Sequence, residues 1–305
     1  MDAVFDRAPA PAERTGRGLN MVVCIKQVPD SAQIRVHPVT NTIMRQGVPT
    51  IINPYDLFAL EAAMRLRDLC GGKVTVLTMG PPMAEDALRR ALGLGADAAV
   101  LITDRRFAGA DTLATSYALT SALAKLGAEQ PIDVVFTGKQ TIDGDTAQVG
   151  PGIARRLGLN QLTYVASIDR LDVATGEIVV RRRAEGGQQV LSSRLPCLLT
   201  ILEGVNEIRR GTIDDMLRAA RTPVTVWSAA DAGVEDLQLC GLRGSATVVK
   251  RVFAPTPRAE RAEMLETDDR SAGQVASALL DLVFARQPKL EADLLAAARQ
   301  QEDRR

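Results

Sequence analysis

The sequence predicts an α/β fold: a doubly wound, mostly parallel sheet with added antiparallel strands and an extended C-terminal arm ending in a helix. Three observations carry this expectation. From Met21 to Leu157, short apolar runs alternate with helix-period segments, the pattern of a parallel sheet covered on each face by helices. Beyond Leu162 the apolar runs become short and β-like, with Gly186-Gly187 as a turn signal between two of them, which reads as antiparallel strands completing the sheet. From Thr222 onward, extended stretches give way to Val275, Leu279, Leu282, Leu290 and Leu294 at helical spacing.

The elements follow in order. Met21-Val22-Val23-Cys24-Ile25-Lys26 reads as a first buried strand, and residues 31–52 as a long loop or hairpin. Asn53 caps a helix with Pro54 at its first position, Leu57, Leu60 and Met64 on its core face, and Gly71-Gly72 at its end. Lys73 to Met79 is a second strand, Pro82 to Leu94 a helix, Ala98 to Thr103 a third strand, Asp111 to Leu126 a helix and Ile132 to Thr137 a fourth strand. Thr163 to Ile168, Glu177 to Arg183, Gln188 to Ser193 and Leu198 to Leu202 are the expected antiparallel strands. Thr212 caps a further helix whose first turn holds Asp214 and Asp215, suited to the helix dipole. Val224 to Trp227, Gly241 to Val252 and Pro255-Thr256-Pro257 read as the extended arm. Three segments result: residues 1–20, a disordered N-terminal extension; 21–221, the α/β domain; and 222–305, an arm and helix with little core of their own that need something to pack against.

Composition narrows the function. With 46% hydrophobic residues the chain can bury a sizeable core, and a formal net charge of +0 offers no basic face for nucleic acid. No stretch approaches the length of a membrane helix, so direct membrane insertion is not expected. The four cysteines, Cys24, Cys70, Cys197 and Cys240, lack metal or redox spacing and suggest a reducing compartment, with Cys24 and Cys197 as buried small hydrophobes. The single histidine, His37, sits beside Pro38, so imidazole acid–base chemistry is not expected.

The loop from Gly138 to Gly152 is the strongest local signal. It lies between a buried strand and the helix-like Ile153-Ala154-Arg155-Arg156-Leu157, where an α/β sheet receives a phosphate or nucleotide. Asp145 and Gln148 fit a capping box for that helix, although Pro151 argues for a start nearer itself. Asp143 and Asp145 would repel phosphates if they pointed inward, so one is expected to cap backbone and the other to face solvent. Gly93-Leu94-Gly95-Ala96-Asp97-Ala98 matches a dinucleotide fingerprint but follows a helix and precedes a strand, the reverse of the required order, and reads as a helix C-cap and turn. Walker-type, zinc and iron–sulfur spacings are missing from the sequence.

Taken with Asn53-Pro54-Tyr55-Asp56 upstream, and with Asn206-Glu207 and Gly211-Thr212-Ile213 downstream, this loop resembles the beta subunit of electron transfer flavoproteins over about Met21 to Arg221. The run from Asp143 to Pro151 resembles the electron-bifurcating and nitrogen-fixation-associated members of that family. The resemblance implies a Rossmann-like, adenine-nucleotide-binding sheet. Its nucleotide positions fall on Cys24 and Lys26, on Asn53, Pro54, Tyr55 and Asp56, and on Met79 and Gly80. The matching phosphate loop comprises Gly138, Lys139, Gln140, Thr141, Ile142, Asp143, Gly144, Asp145, Thr146, Ala147, Gln148 and Val149. In a doubly wound sheet these segments converge at the carboxyl ends of strands, in a pocket between Asn53 and Thr146 roofed by another polypeptide. Ile213 stands where the family places an apolar side chain that docks into acyl-CoA dehydrogenases.

The functional expectation is an electron transfer subunit working as a heterodimer with an alpha subunit, which carries one FAD. This chain binds a second nucleotide: FAD if it bifurcates electrons from NADH toward a quinone or acyl-CoA dehydrogenase-type acceptor and a low-potential ferredoxin or flavodoxin. The alternative is a conventional shuttle holding structural AMP between acyl-CoA dehydrogenases and a quinone oxidoreductase. An alternative of another class is an adenine-nucleotide sensor module with neither alpha partner nor flavin. The flavin would carry the redox chemistry, so no catalytic acid, base, nucleophile or metal ligand is nominated. A bacterial-type cytoplasmic location follows, with peripheral association to a membrane-bound partner complex.

Overall fold

The computed structural model describes residues 18–30, 35–36, 43–44, 49–250, 264–265 and 267–302. His37, Pro255-Thr256-Pro257 and residues 1–17 lie outside the described residues. The chain divides into two units, Met1–Ala254 and Pro255–Arg305.

The first unit begins with β1 (Leu19–Cys24), whose six residues are all buried. β2 (Gln27–Pro29) follows, then the short β3 (Arg35–Val36) and β4 (Ile43–Met44), then β5 (Thr50–Ile52). β2 pairs antiparallel with β5, and β3 with β4. α1 (Pro54–Cys70) leads to β6 (Gly72–Met79), a short 3-10 turn over Pro82–Ala84, α2 (Glu85–Gly93), β7 (Ala98–Ile102), α3 (Thr112–Glu129), β8 (Val134–Gly138) and α4 (Val149–Leu157). β9 (Asn160–Asp172), β10 (Glu177–Ala184), β11 (Gly187–Arg194) and β12 (Cys197–Ile201) come next. α5 (Ile213–Arg221), β13 (Val224–Trp227) and α6 (Gly241–Gly244) complete the unit.

Nine strands form one sheet in the order β11-β10-β9-β12-β8-β1-β6-β7-β13. β1 lies at its centre, parallel to β6 on one side and β8 on the other, with Cys24 level with Leu77 and with Thr137. The chain builds outward from β1 through β6 and β7, then crosses back to β8 on β1's other side. That reversal makes the carboxyl ends of β1 and β8 the topological switch point, the place where open α/β sheets receive ligands.

Successive β1 side chains face opposite layers, as the pleat requires. Met21 and Val23 join Leu60 and Met64 of α1, Leu88 of α2 and Phe136 of β8 in one core. Val22 and Cys24 join Tyr117 and Leu123 of α3 and Ile153 of α4 in the other. The central strands are therefore apolar on each face, which explains their unbroken runs of Val, Leu and Ile.

Two strands depart from the sequence expectation. Leu198 to Leu202 was expected to be antiparallel, but β12 runs parallel to β8 and to β9, because the β9–β10–β11 excursion returns it between them. Only the β9–β10 and β10–β11 pairings in this sheet are antiparallel. Val224 to Trp227 was assigned to the arm, but β13 is the edge strand parallel to β7. Trp227 there lies under the Lys125 ammonium, 4.4 Å from the ring centroid. The sheet thus continues past residue 221, where the domain boundary was expected.

The fingerprint-like Gly93 to Ala98 is the end of α2, a turn with Gly95 at φ 119°, and the start of β7, as its element order required. In the second unit, α7 (Ala272–Arg286) opens with a Ser271/Gln274 capping box and is followed by α8 (Pro288–Glu302). Leu279, Leu280, Leu290, Leu294 and Leu295 of these helices are exposed. Among the described residues, no helix is long and apolar enough to cross a membrane.

Phe136 is the largest fully buried side chain of β8. Phe136→Ala is expected to cost about 3–5 kcal/mol of stability through the cavity it leaves, read in urea by the fluorescence of Trp227, the single tryptophan.

Candidate functional site at the β1/β8 switch point

Of the segments expected at the site, the end of β1, the first turn of α1 and the loop after β8 are hydrogen-bonded to one another. Asn53 occupies the N-cap position of α1, with its backbone carbonyl accepting from Asp56 and Leu57. Its side chain makes no cap bond. It is fully buried and serves the phosphate loop instead: Nδ2 donates to the Gln140 carbonyl at 2.8 Å, and Oδ1 accepts from the Ile142 amide at 3.1 Å. An amide side chain alone offers a donor and an acceptor at this reach, so Asn53 reads the loop backbone in two directions.

Asp56, three residues on, is 4% exposed. Its carboxylate accepts from the Lys26 amide at 2.8 Å and from the Gly138 amide at 3.1 Å. The Lys26 carbonyl in turn accepts from the Asn53 amide at 2.8 Å. The first turn of α1 therefore ties the end of β1 to the end of β8. A Cβ on Gly138 would lie 2.5 Å from Asp56 Oδ1 and 2.7 Å from Tyr55, so the carboxylate reaches the strand end because residue 138 has no side chain.

Burial pushes the Asp56 carboxyl up to about 7, against hydrogen bonds from Asn53, Lys26 and Gly138 that pull it down. Beside it, burial, with the Asp56 charge adding to it, pushes the Cys24 thiol up to about 12. Cys24 is thus a neutral wall residue, and Cys197 and Cys240 are buried thiols outside any disulfide.

The loop from Lys139 to Gln148 folds over this base. Lys26 Nζ reaches Asp143 at 2.7 Å. Partial burial raises the Asp143 pKa, but the Lys26 and Thr141 contacts outweigh it and hold the carboxyl below its usual range. Asp145 accepts from Gln140 Nε2 at 2.8 Å. The capping box expected of Asp145 and Gln148 does not form: Gln148 is itself the N-cap, without a side-chain cap bond, and α4 begins at Val149. The Gln148 Oε1 is engaged instead by the Thr112 hydroxyl at 2.8 Å. Pro151 sits inside the first turn rather than at its first position, where its missing N–H is no loss. Neither loop aspartate caps the helix backbone; Asp143 pairs with Lys26, while Asp145, exposed as one of the two was expected to be, accepts from Gln140.

The backbone here has a distinctive handedness. Asp145 and Ala147 adopt φ of 50° and 54°, whereas Gln148 is right-handed at φ −103°, ψ −24°. Left- and right-handed residues in succession turn neighbouring amides toward one concavity that suits an anion. Among the described residues, the amides of Ala147, Gln148 and Val149 have no hydrogen-bond partner. They sit at the N-terminus of α4, where the helix dipole adds to the effect. Non-glycine residues in this conformation are strained.

The other expected positions surround this point. Met79 and Gly80 end β6, with the Gly80 amide donating to the Ile102 carbonyl at 3.1 Å. Tyr55 is half-buried and carries the Lys139 ammonium 5.0 Å from its ring centroid. Gly144, Asp145 and Thr146 are exposed, so the rim is open. A cavity of 710 Å³ lies elsewhere, lined by Ile52, Pro54 and Leu57, by Leu94, and by Met216 and Ala219 of α5. Among the described residues there is no group of three or more His, Cys, Asp or Glu that could hold a metal.

Ile213 belongs to a separate surface. Thr212 and Asp215 form a capping box at the head of α5. Its bonds from the Thr212 amide and hydroxyl, with Arg218 nearby, hold the Asp215 carboxyl down at about 2. Ile213 is 77% exposed, and Met216 and Leu217 are exposed beside it. Sequence reading singled out Ile213 and missed the other two, although their i, i+3, i+4 spacing on a capped helix was a readable signal. It also missed Glu61, a buried carboxylate of α1 that holds Arg209 at 2.8 Å and Arg65 at 2.8 Å. With Asn206 Nδ2 donating to the Phe58 carbonyl at 3.0 Å, this cluster fastens the approach to α5 onto α1.

Comparison with known proteins agrees with this architecture. The electron transfer flavoprotein domain matches residues 40–232. The chain is 69% identical over 282 residues to Protein FixA of Azorhizobium caulinodans, covering 92% of this chain and 99% of that protein. It is 60% identical over 276 residues to Protein FixA of Azotobacter vinelandii, covering 90% and 98%. It is 47% identical over 233 residues to the electron transfer flavoprotein subunit beta of Clostridium acetobutylicum, covering 76% and 87%.

Asn53→Ala is expected to leave the Gln140 carbonyl and the Ile142 amide unpaired, at about 1–3 kcal/mol for each group that stays buried. Hydrogen exchange should show faster exchange confined to residues 139–148 and the first turn of α4, with β6 and β7 unchanged.

Proposed function

This chain belongs to the electron transfer flavoprotein family as a beta-type electron transfer subunit, and from that premise we propose that it binds FAD at the β1/β8 crevice within a heterodimer. The observation that carries this reading is the run of unpaired amides at Ala147, Gln148 and Val149, turned together by alternating handedness at the head of α4. A phosphate is the chemistry this arrangement suits. The Lys26 ion pair takes the Asp143 charge out of the way, so the acidic loop does not repel such a group as strongly as its sequence suggests.

The remaining residues take definite parts. Asn53 holds the loop's shape through the Gln140 and Ile142 backbone. Cys24, neutral and buried, and Met79 supply an apolar wall suited to an adenine ring. The open rim at Gly144 to Thr146 leaves one side of the crevice for another polypeptide, which we assign to an alpha subunit. The exposed leucines of α7 and α8 suit the same partner. A bound flavin would supply the redox chemistry, taking electrons from NADH and releasing them to two acceptors of different potential. No side chain of this chain is assigned an acid, base or nucleophilic role.

The second surface is the apolar face of α5. Ile213, Met216 and Leu217 project from a helix fixed at its start by the Thr212–Asp215 box, which suits docking to a redox partner such as a dehydrogenase. A nucleotide sensor without partners gives no use to that face.

Co-expression with the alpha subunit followed by nucleotide extraction is expected to yield FAD from each chain, and NADH without oxygen should bleach the flavin absorbance. FAD from one chain only, with AMP in this one and no response to NADH, would replace this reading with the conventional shuttle. Ile213→Asp is expected to weaken electron transfer with the dehydrogenase partner about tenfold or more, the ~1.4–2 kcal/mol of a lost anchor. Nucleotide content should be unchanged.

A further inference from the structure

Asp56 is a buried acid that does not belong to the ligand-facing amides. Besides the Asn53 side chain, its two oxygens engage backbone groups from strands adjacent in space but distant in sequence: the Lys26 amide after β1 and the Gly138 amide at the end of β8. These are the two strand ends that bound the switch-point crevice. No lysine or arginine side chain bonds the carboxylate directly, since Lys26 Nζ is held by Asp143.

We propose that the Asp56 carboxylate is the positioning residue of the nucleotide crevice, fixing the spacing of its two walls by drawing the Lys26 and Gly138 amides onto one group. This rests on the nucleotide-site reading above and adds to it the part that holds the site open to the correct width. A carboxylate accepts on each oxygen, and so satisfies two donors that approach from opposite walls. The protonated acid, or an amide, presents a donor to one of them and releases that wall.

The surrounding charges leave Asp56 as the group that titrates. From β1, the Cys24 thiol is neutral below about 12 and the Lys26 ammonium is paired with Asp143. From β8, Lys139 directs its ammonium over the Tyr55 ring and toward Glu203, 3.8 Å away. From α1, the Asn53 amide carries no charge and the Tyr55 ring lies under the Lys139 ammonium. Asp56 itself changes charge near neutrality, because burial raises it to about 7.

Stability and binding then respond to pH in opposite directions. The folded chain holds the Asp56 proton more tightly than the unfolded chain between its ordinary value and about 7. This group's contribution to stability therefore grows as pH falls through that window and is lost as pH rises through it. Nucleotide affinity does the reverse, since it follows the ionised form. A purely structural role would move affinity and stability together.

The test measures FAD affinity of the purified heterodimer between about pH 8 and 6, alongside thermal unfolding, for the wild type and Asp56→Asn. Wild-type affinity in this chain's site is expected to fall about tenfold across that range, the factor for one proton titrating near 7. Asp56→Asn is expected to show a flat profile, weak at each pH, with thermal stability at pH 8 equal to or above that of the wild type. A flat wild-type profile, or an Asn variant with the wild-type slope, overturns the inference while leaving the nucleotide site standing. A heterodimer whose only nucleotide resides in the alpha chain overturns the site reading itself. If Asp56→Asn does not fold, the wild-type profile still decides: a tenfold fall supports the proposal, and no fall overturns it.

Discussion

A single knot at the head of α1 sets the geometry on which the functional surface depends. Asn53 and Asp56 are three residues apart on one helical turn, so their side chains lie close together. They hold three backbone segments: the exit of β1 through Lys26, the exit of β8 through Gly138, and the loop beyond through Gln140 and Ile142. The sheet alone would bring the strand ends near each other, because β1 and β8 pair in register to Thr137. It would not fix the loops that leave them. The knot does so with polar groups that are buried and satisfied, which is the condition under which a buried polar network specifies one arrangement.

The same knot bears on the proposal that an acidic loop serves an anion. Asp143 is drawn to Lys26 and Asp145 to Gln140. The residues left to face outward are Ala147, Gln148 and Val149, which contribute N–H groups and no side-chain charge. The strain of a left-handed Ala147 is maintained because its neighbours are held: Ile142 by Asn53, Gln148 by Thr112 and Gly152 by α4's own first turn. Local strain of this kind persists only where the surroundings over-determine it.

Much of this was legible in the sequence, and the reasons for the failures are physical. The parallel core was readable because each central strand is buried on two faces and therefore uniformly apolar. The position of the site was readable because glycine between strand and helix reports close backbone approach, and Gly138 proves to be where a Cβ would strike Asp56. Side-chain roles were less readable. Asn53 and Asp145 have the chemistry of caps, and local propensity cannot tell a cap from a tertiary contact that competes for the same atoms. Val224 to Trp227 looks extended whether it is an arm or an edge strand. Only the neighbouring β7 backbone distinguishes the two. β12 looked like another hairpin strand because its insertion between β9 and β8 depends on non-local pairing that short β-like runs do not encode.

The two functional surfaces are joined through α1. Its first turn carries Asn53 and Asp56 at the crevice, and its second carries Glu61, which holds Arg209 and, with Asn206 on the Phe58 carbonyl, fastens the segment that leads into α5. Arg209 also reaches Asp68 near the helix's far end, at 2.9 Å. These contacts pin α1 from its second turn to its far end. Burial pulls the Glu61 carboxyl upward, but the Arg209 and Arg65 contacts hold it below its usual range, so that anchor stays charged while Asp56 titrates. The crevice end of α1 is therefore the adjustable one and the docking end the fixed one. For the docking surface proposed on α5, that division keeps its support fixed while the charge at the switch point changes.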